Sequence, residues 1–337
     1  MEINEERRAT MIPMPIGIVA IPIAVAALLA FAPVAAAADA FPSRPLRAIV
    51  AQSPGGSNDF VARLMAAKLS ERLGEQVVVI NRAGGNGVIG YESGARATPD
   101  GYTLVLASSS YATLAATQKT PYDPIKAFAP LAKLGTAPFL LIVHASVPAK
   151  SVKELIALAK QKPGQLIMAS GEVASAPHLG TVLFLKLAGI DMRVVPFKGG
   201  GPALIDILGG HSHAAFNNIV QAMPHVKAGK LRALGTGGAK RSVVLPDVPS
   251  VAEAGELPGF ENVIWWVFLT TAGTPAPIVN KLASELRAIL SLDDVKTWFV
   301  NAGGEVDYLG PAELGRFMQK EVAKFKQIAK EANFTRE

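Results

Sequence analysis

Leu46-Arg47-Ala48-Ile49-Val50-Ala51-Gln52-Ser53-Pro54-Gly55-Gly56-Ser57-Asn58-Asp59-Phe60 reads as a short apolar strand, a Ser/Pro/Gly turn and the first turn of a helix. A junction of this kind leaves backbone N–H groups at the helix start without intrahelical partners, where the macrodipole is positive. An anion can be held there without a basic side chain. The helix is expected from about Asn58 to Leu73, with Val61, Leu64, Met65 and Leu69 as its apolar stripe. Asn58 or Ser57 is the expected N-cap and Gly74 the C′ glycine. Asp59 and Arg63, four residues apart, read as an intrahelical ion pair.

The same order recurs further along. Strand Val77–Ile80 leads to Gly84-Gly85, and a helix follows to about Ala97. About 120 residues after the opening loop come strand Gln165–Ala169, polar loop Ser170–Pro177, helix His178–Ala188, Gly189, strand Arg193–Val195 and the Lys198–Gly201 turn. Two such βαβ units predict α/β lobes with mainly parallel sheets, which bind ligands outside the carboxyl ends of their strands. Further strands are expected at Tyr102–Ala107 (running into Ser108-Ser109-Ser110), Phe139–His144, Ala214–Asn218 and Leu231–Thr236. Gly259–Thr270 is another, placing Trp265 and Trp266 on opposite faces. Ser151 and Glu154 form a capping box, about 15 helical residues follow Thr274-Pro275, and Pro311–Ala332 is an amphipathic helix.

The chain has 337 residues, 50% apolar and 18% charged, enough for one large or two medium cores. It has no cysteine, which removes disulfides, thiolate metal sites, cysteine nucleophiles and lipoprotein anchoring. Arg7 and Arg8 precede an uncharged run over 16–30, and small residues at 36–40 fit an A-x-A cleavage pattern. Residues 1–40 therefore read as an export signal cut near 38–40. An uncleaved anchor is the alternative, since apolar residues continue to Val34, but Pro22 and Pro33 interrupt the run. With two Arg, three Glu and one Asp removed, the formal charge rises from +6 to +8. That favours anionic partners in general. No cluster of Lys/Arg interleaved with aromatics points to nucleic acid.

Gly85-Asn86-Gly87-Val88-Ile89-Gly90 is a literal G-x-G-x-x-G, which raises a nucleotide-dependent α/β enzyme as an alternative. Four residues separate it from the strand, however, and the next strand ends in serines rather than an acid for a ribose. His211 and His213 have no carboxylate or cysteine at metal-like spacing, so no metal or cofactor is expected. No G-x-S-x-G elbow or Walker lysine occurs, and no catalytic residue is assigned.

A set of short motifs carries a resemblance. They are Phe41-Pro42-Ser43-Arg44-Pro45, Ser53-Pro54-Gly55-Gly56-Ser57-Asn58-Asp59 with Ala62-Arg63, Pro99-Asp100-Gly101-Tyr102-Thr103-Leu104 and Pro121-Tyr122-Asp123-Pro124. Ser175 with His178-Leu179, Pro196-Phe197-Lys198-Gly199, and Asp247-Val248-Pro249-Ser250 with Glu253-Ala254-Gly255 complete it. In this order they resemble the periplasmic substrate-binding proteins of tripartite tricarboxylate transporters, the Bug-type receptors, over about Phe41 to Ala332.

The resemblance implies a two-domain periplasmic-binding-protein fold of the Venus-flytrap, type II-like kind, with two crossing segments. The expected division is 41–143 and 262–337 for the first domain and 144–261 for the second. It implies a monomeric, periplasmic receptor that holds a small carboxylate in an interdomain cleft and delivers it to large and small membrane subunits of a transporter. A ligand-binding partner of a membrane sensor is the alternative. Loop N–H groups and hydroxyls would bind the ligand. By position the carried-over residues are Gln52, Ser53, Pro54, Gly55, Gly56 and Ser57 from the first loop, and Ser108 and Ser109 from the third strand end. Ser170, Ser175, His178 and Asn217 come from the second domain. His178 either bonds the ligand or caps its loop. Glu172 and Ala174 stand where the family is usually small or Gly, and Glu172 is expected to point away from an anion. Asn217 replaces a common aspartate, so plain carboxylates are expected over amino acids.

Overall fold

The β-branched runs beside the glycine loops become strands, and the periodic segments between them become helices packed on the resulting sheet. The computed structural model describes residues 41–331. The expected export signal and its cleavage at 38–40 lie outside the described residues. In chain order, β1 (Leu46–Val50), α1 (Ser57–Leu73), β2 (Val77–Asn81), α2 (Val88–Ala95), β3 (Thr103–Ser108), α3 (Ser109–Thr117) and β4 (Phe128–His144) come first. Then come α4 (Val152–Gln161), β5 (Ile167–Ser170), α5 (Ala176–Ala188), β6 (Arg193–Pro196), α6 (Gly200–Leu208), β7 (Ala214–Asn218), α7 (Ile219–Lys227) and β8 (Leu231–Thr236). The chain finishes with α8 (Val251–Ala254), β9 (Val263–Thr271), α9 (Ala276–Leu290), α10 (Asp293–Asn301), β10 (Glu305–Leu309) and α11 (Pro311–Glu331).

The strand order is β2-β1-β3-β9-β4-β7-β5-β6, with β8 and β10 also paired to β4. Parallel pairing holds within β1–β3 and within β5–β7, where the two βαβ units were read. It stops at β4 and β9, whose ladders are antiparallel, so the sheet is mixed rather than mainly parallel. One strand serves both halves. Phe128–Pro138 pairs with β9, while Phe139–Val143 pairs with β7 and Leu140–His144 with β8. The chain passes between the halves a second time at Asn262, whose N–H donates to Gly237 O at 2.7 Å and whose carbonyl accepts from Phe139 N–H at 3.0 Å.

Only Phe139–His144 of β4 is expected from the sequence, whereas the strand begins at Phe128 and runs through Pro130, Gly135 and Pro138. Register shifts between Pro130 and Ala132 and between Lys133 and Gly135 absorb the first two, and Pro138 falls at the end of the β4–β9 ladder, opposite Val263. Helices α3 and α10 and strand β10 were likewise not expected. The capping box at α4 forms with a shift of partner: Ser151 Oγ accepts from Glu154 N–H at 3.2 Å, but Glu154 reaches the N–H of Lys150 at 2.7 Å. Trp265 lies in the core, its indole N–H donating to the buried Glu321 on α11 at 2.8 Å. Leu314, Val322 and Phe325 of α11 are buried in the same core, and Phe317 is half-buried against it.

Candidate functional site

The first loop opens α1 with a bare helix end. Its N-cap is Gly56, not Asn58 or Ser57, and no side chain caps it. Asn58 is drawn inward instead because a buried partner on β9 needs it: its Oδ1 accepts from Trp266 Nε1 at 2.9 Å. Its Nδ2 donates to Gln52 Oε1 at 2.7 Å and Ser108 Oγ at 3.2 Å. Gln52 Nε2 in turn donates to Tyr91 Oη at 3.3 Å and Ser110 Oγ at 3.2 Å. A polar floor thus runs beneath the loop, and each buried donor and acceptor supports the next.

Asp59 holds the loop from the other side. Its carboxylate accepts from Gly55 N–H, Arg63 Nε and Asn81 Nδ2, each at 3.0 Å. Asn81 Nδ2 also donates to Gln52 O at 3.1 Å. The expected pair with Arg63 is present, but Asp59 is also the anchor of the glycine turn. Burial pushes its carboxyl upward, and the bonds from Arg63, Gly55 and Asn81 outweigh that, so it ionises below the ordinary carboxylate range. Gly55, at φ +83°, takes a conformation that favours glycine, which lets the turn close over this anchor.

The second loop is self-capped. Ser175 is the N-cap of α5, its Oγ accepting from His178 N–H at 3.4 Å. Ser170 Oγ and His178 Nδ1 share a 2.7 Å hydrogen bond, both residues being buried. Burial lowers the His178 pKa, so the ring is held neutral. Ala174 lies at φ +64°, in the left-handed region that favours glycine, which gives a physical reason for its oddity in the sequence.

The two loops face a common cleft of about 930 Å³. Gln52, Ser53, Pro54, Gly55 and Gly56 line it on one side and Ser175 on the other. Gly55 and Gly56 also wall a second cavity of about 320 Å³, which Ser57 and Asn217 line. Ser108, Ser109, Ser170 and His178 line neither cavity; all four are buried behind the lining. Asn217 is engaged locally, donating to Gly200 O at 2.9 Å and accepting from Asn218 N–H at 2.7 Å.

Several lining residues were not singled out as site residues. Ser110 lines the main cleft because β3 ends at Ser108 and α3 starts at once, turning the third serine outward. Gly84, Asn86 and Gly87 line it too, so the G-x-G-x-x-G segment is a wall of the cleft. Lys198 and Gly199 come from the turn before α6. Glu172, expected to face away, is exposed yet lines the same cleft as Lys198, so the lining carries one charge of each sign.

Residues 61–334 match the family described as the tripartite tricarboxylate transporter family receptor. Protein BugT of Bordetella pertussis is 34% identical over 297 residues, covering 87% of this chain and 91% of that protein. The structure of R. palustris Rpa4515 with adipate superimposes with a TM-score of 0.77 at 33% identity, covering 87% of this chain and 98% of that one. MatC from Rhodopseudomonas palustris with bound malate gives 0.73 at 32% identity, covering 86% and 99%. The periplasmic binding protein BugD superimposes with a TM-score of 0.75 at 30% identity, covering 88% of this chain and 100% of that one, so the chain has the two-domain periplasmic-binding-protein fold.

Proposed function

From the chain's membership of the tripartite tricarboxylate transporter receptor family, we propose that it captures a small carboxylate in the cleft between its two loops and delivers it to a membrane transporter. Members of this family and their solved relatives are solute-binding proteins, so the chain is a receptor and not an enzyme. The observation that carries the carboxylate assignment is the uncapped start of α1 at Gly56, open to the cleft and supported from below by Asn58 and Asp59. A rigid set of backbone N–H groups suits an oxyanion, and a helix end contributes about 0.3–2 kcal/mol to holding one. Micromolar binding needs about −8 kcal/mol, so the hydroxyls of Ser53 and Ser110 and the exclusion of water from the cleft must supply most of it. Adipate in Rpa4515 and malate in MatC support this ligand class.

In this reading the first lobe comprises 41–143 and 262–337 and the second 144–261, the change of partner along β4 at Pro138/Phe139 and the crossing at Asn262 lying close to these boundaries, and the protein works as a periplasmic monomer. Among the described residues no helix is long and apolar enough to cross a membrane. A thermal-shift screen against mono-, di- and tricarboxylates, aspartate, glutamate, NAD and ATP tests the proposal. Carboxylates are expected to raise the melting temperature and the nucleotides to leave it unchanged. Stabilisation by a nucleotide and by no carboxylate would refute the assignment.

A further inference from the structure

Resting on the carboxylate-receptor reading, we infer that the preferred ligand is a monocarboxylate with an apolar tail about the size of an aromatic ring. The carboxylate sits at the Gly55–Gly56 wall and the tail in the adjoining 320 Å³ cavity. Much of that cavity's lining is apolar: the rings of Phe139, Phe216, Trp266 and Trp298 line it, with Val61 and Ile264. No charged side chain lines it among the described residues. A second carboxylate, or the ammonium of an amino acid, would be desolvated there without a counter-charge, which is costly. An uncharged tail meets no such penalty.

Size and exposure point the same way. An apolar cavity of about 150 Å³ holds benzene, so this one accommodates a ring with a substituent. Phe60 of α1 and Val220 of α7 also line it and are 53% and 47% exposed, so the cavity's rim adds accessible apolar surface that a hydrocarbon tail could cover. The main cleft differs, because Glu172 and Lys198 give its lining ionic character. Uncharged polar side chains of Ser57, Asn217, Asn218 and Gln221 also line the cavity; Asn217 already has its amide bonded to Gly200 and Asn218. It therefore shapes the wall more than it selects a charged group.

Titration calorimetry of the purified protein with acetate, hexanoate, phenylacetate, succinate and adipate tests the inference, with tryptophan emission as a second signal from Trp266 and Trp298. Burying hydrocarbon strengthens binding about fourfold per methylene. Hexanoate and phenylacetate are therefore expected to bind at least thirtyfold tighter than acetate, tighter than either dicarboxylate, and to change the emission. Ala302→Phe, which fills the cavity from its wall, should erase that gain and leave acetate within twofold. Val220→Trp serves the same purpose if that variant does not fold. Apolar tails giving no advantage while succinate or adipate binds would overturn the tail site and leave the receptor reading standing. A full tail advantage persisting in the filled variant would also overturn it. Failure of every carboxylate to bind would remove both.

Discussion

Replacing Asp59 with Asn tests whether the first loop is held by its carboxylate or merely sits beside it. The carboxylate accepts on both oxygens, from Gly55 N–H and Arg63 Nε on one and from Asn81 Nδ2 on the other. An amide of the same shape can accept on one side only. If its oxygen keeps Gly55 and Arg63, its NH₂ group opposes that of Asn81. Turning the Asn81 amide over would relieve this clash, but would then set Asn81 Oδ1 against the Gln52 carbonyl. The substitution therefore loses one hydrogen bond to a charged group and strands a donor, at about 1–3 kcal/mol for each. Arg63 is 53% exposed, so its ion pair adds little, about 0–1 kcal/mol.

A destabilisation of about 3 kcal/mol at pH 7 follows, read from urea unfolding of both proteins. The pH dependence is the sharper test. Because the folded carboxyl ionises below its unfolded value, its contribution is present above about pH 4 and is lost as the pH falls through the folded pKa. The gap between wild type and Asp59→Asn should thus close in acid. Carboxylate affinity should weaken about tenfold, since Gly55 loses its anchor. A stability loss below about 1 kcal/mol, unchanged by acid, would mean that the glycine turn holds itself and that Asp59 plays no part in shaping the site.

Gly56→Asp should fold well and bind no carboxylate: a Cβ there meets only Ser53 O at 3.9 Å, and aspartate is a good N-cap, but its charge would occupy the anion position. Calorimetry showing unchanged carboxylate binding would reduce the loop to a structural turn. Ala174→Gly should raise stability by about 0.5–1 kcal/mol by relieving a left-handed backbone, measured by thermal melting; a lower melting point would refute the strain. His178 is buried neutral with its pKa lowered, so its contribution is complete above about pH 6.5 and falls as the pH drops below that value. His178→Gln should flatten the stability profile between about pH 6.5 and pH 5, and an identical profile would exclude the histidine as its source.

The strand–loop–helix units were legible because each depends on local order: an apolar run, a glycine turn and a capped or uncapped helix. The helix after Thr274-Pro275 was read at about its true length for that reason. What stayed hidden depends on distant partners. Pro130 and Gly135 look like breakers until β9 and two bulges accommodate them. Asn58 looks like a cap until Trp266, more than 200 residues away in sequence, claims its side chain. In the same way Ser108, Ser109 and Ser110 are equivalent as letters. Only the start of α3 immediately after β3 decides that the third faces the cleft while the first is buried under it. Ser170 and His178 enter the expected site by position in the family resemblance, with His178 either bonding the ligand or capping its loop; the structure joins the two to each other by a hydrogen bond, a pairing no local pattern announces.

The two loops consequently have different roles, although they look alike as sequence. Ser175 bonds the first turn of α5, so that helix end is already partly satisfied. Gly56 offers no such cap, so the open donors at α1 are the stronger anion partner. Gly55 N–H, bonded to Asp59, is not among those donors, which concentrates the task on the residues after it. Across the cleft Glu172 and Lys198 oppose each other in sign, so the lining charge there is close to neutral. Selection for an anion then rests on fixed backbone dipoles more than on a cation. Dipoles at a partly enclosed helix end are screened less by salt than exposed lysines are. What distinguishes one carboxylate from another must therefore come from the shape and polarity of the space beyond the anion end, where Gly55 and Gly56 border an apolar cavity.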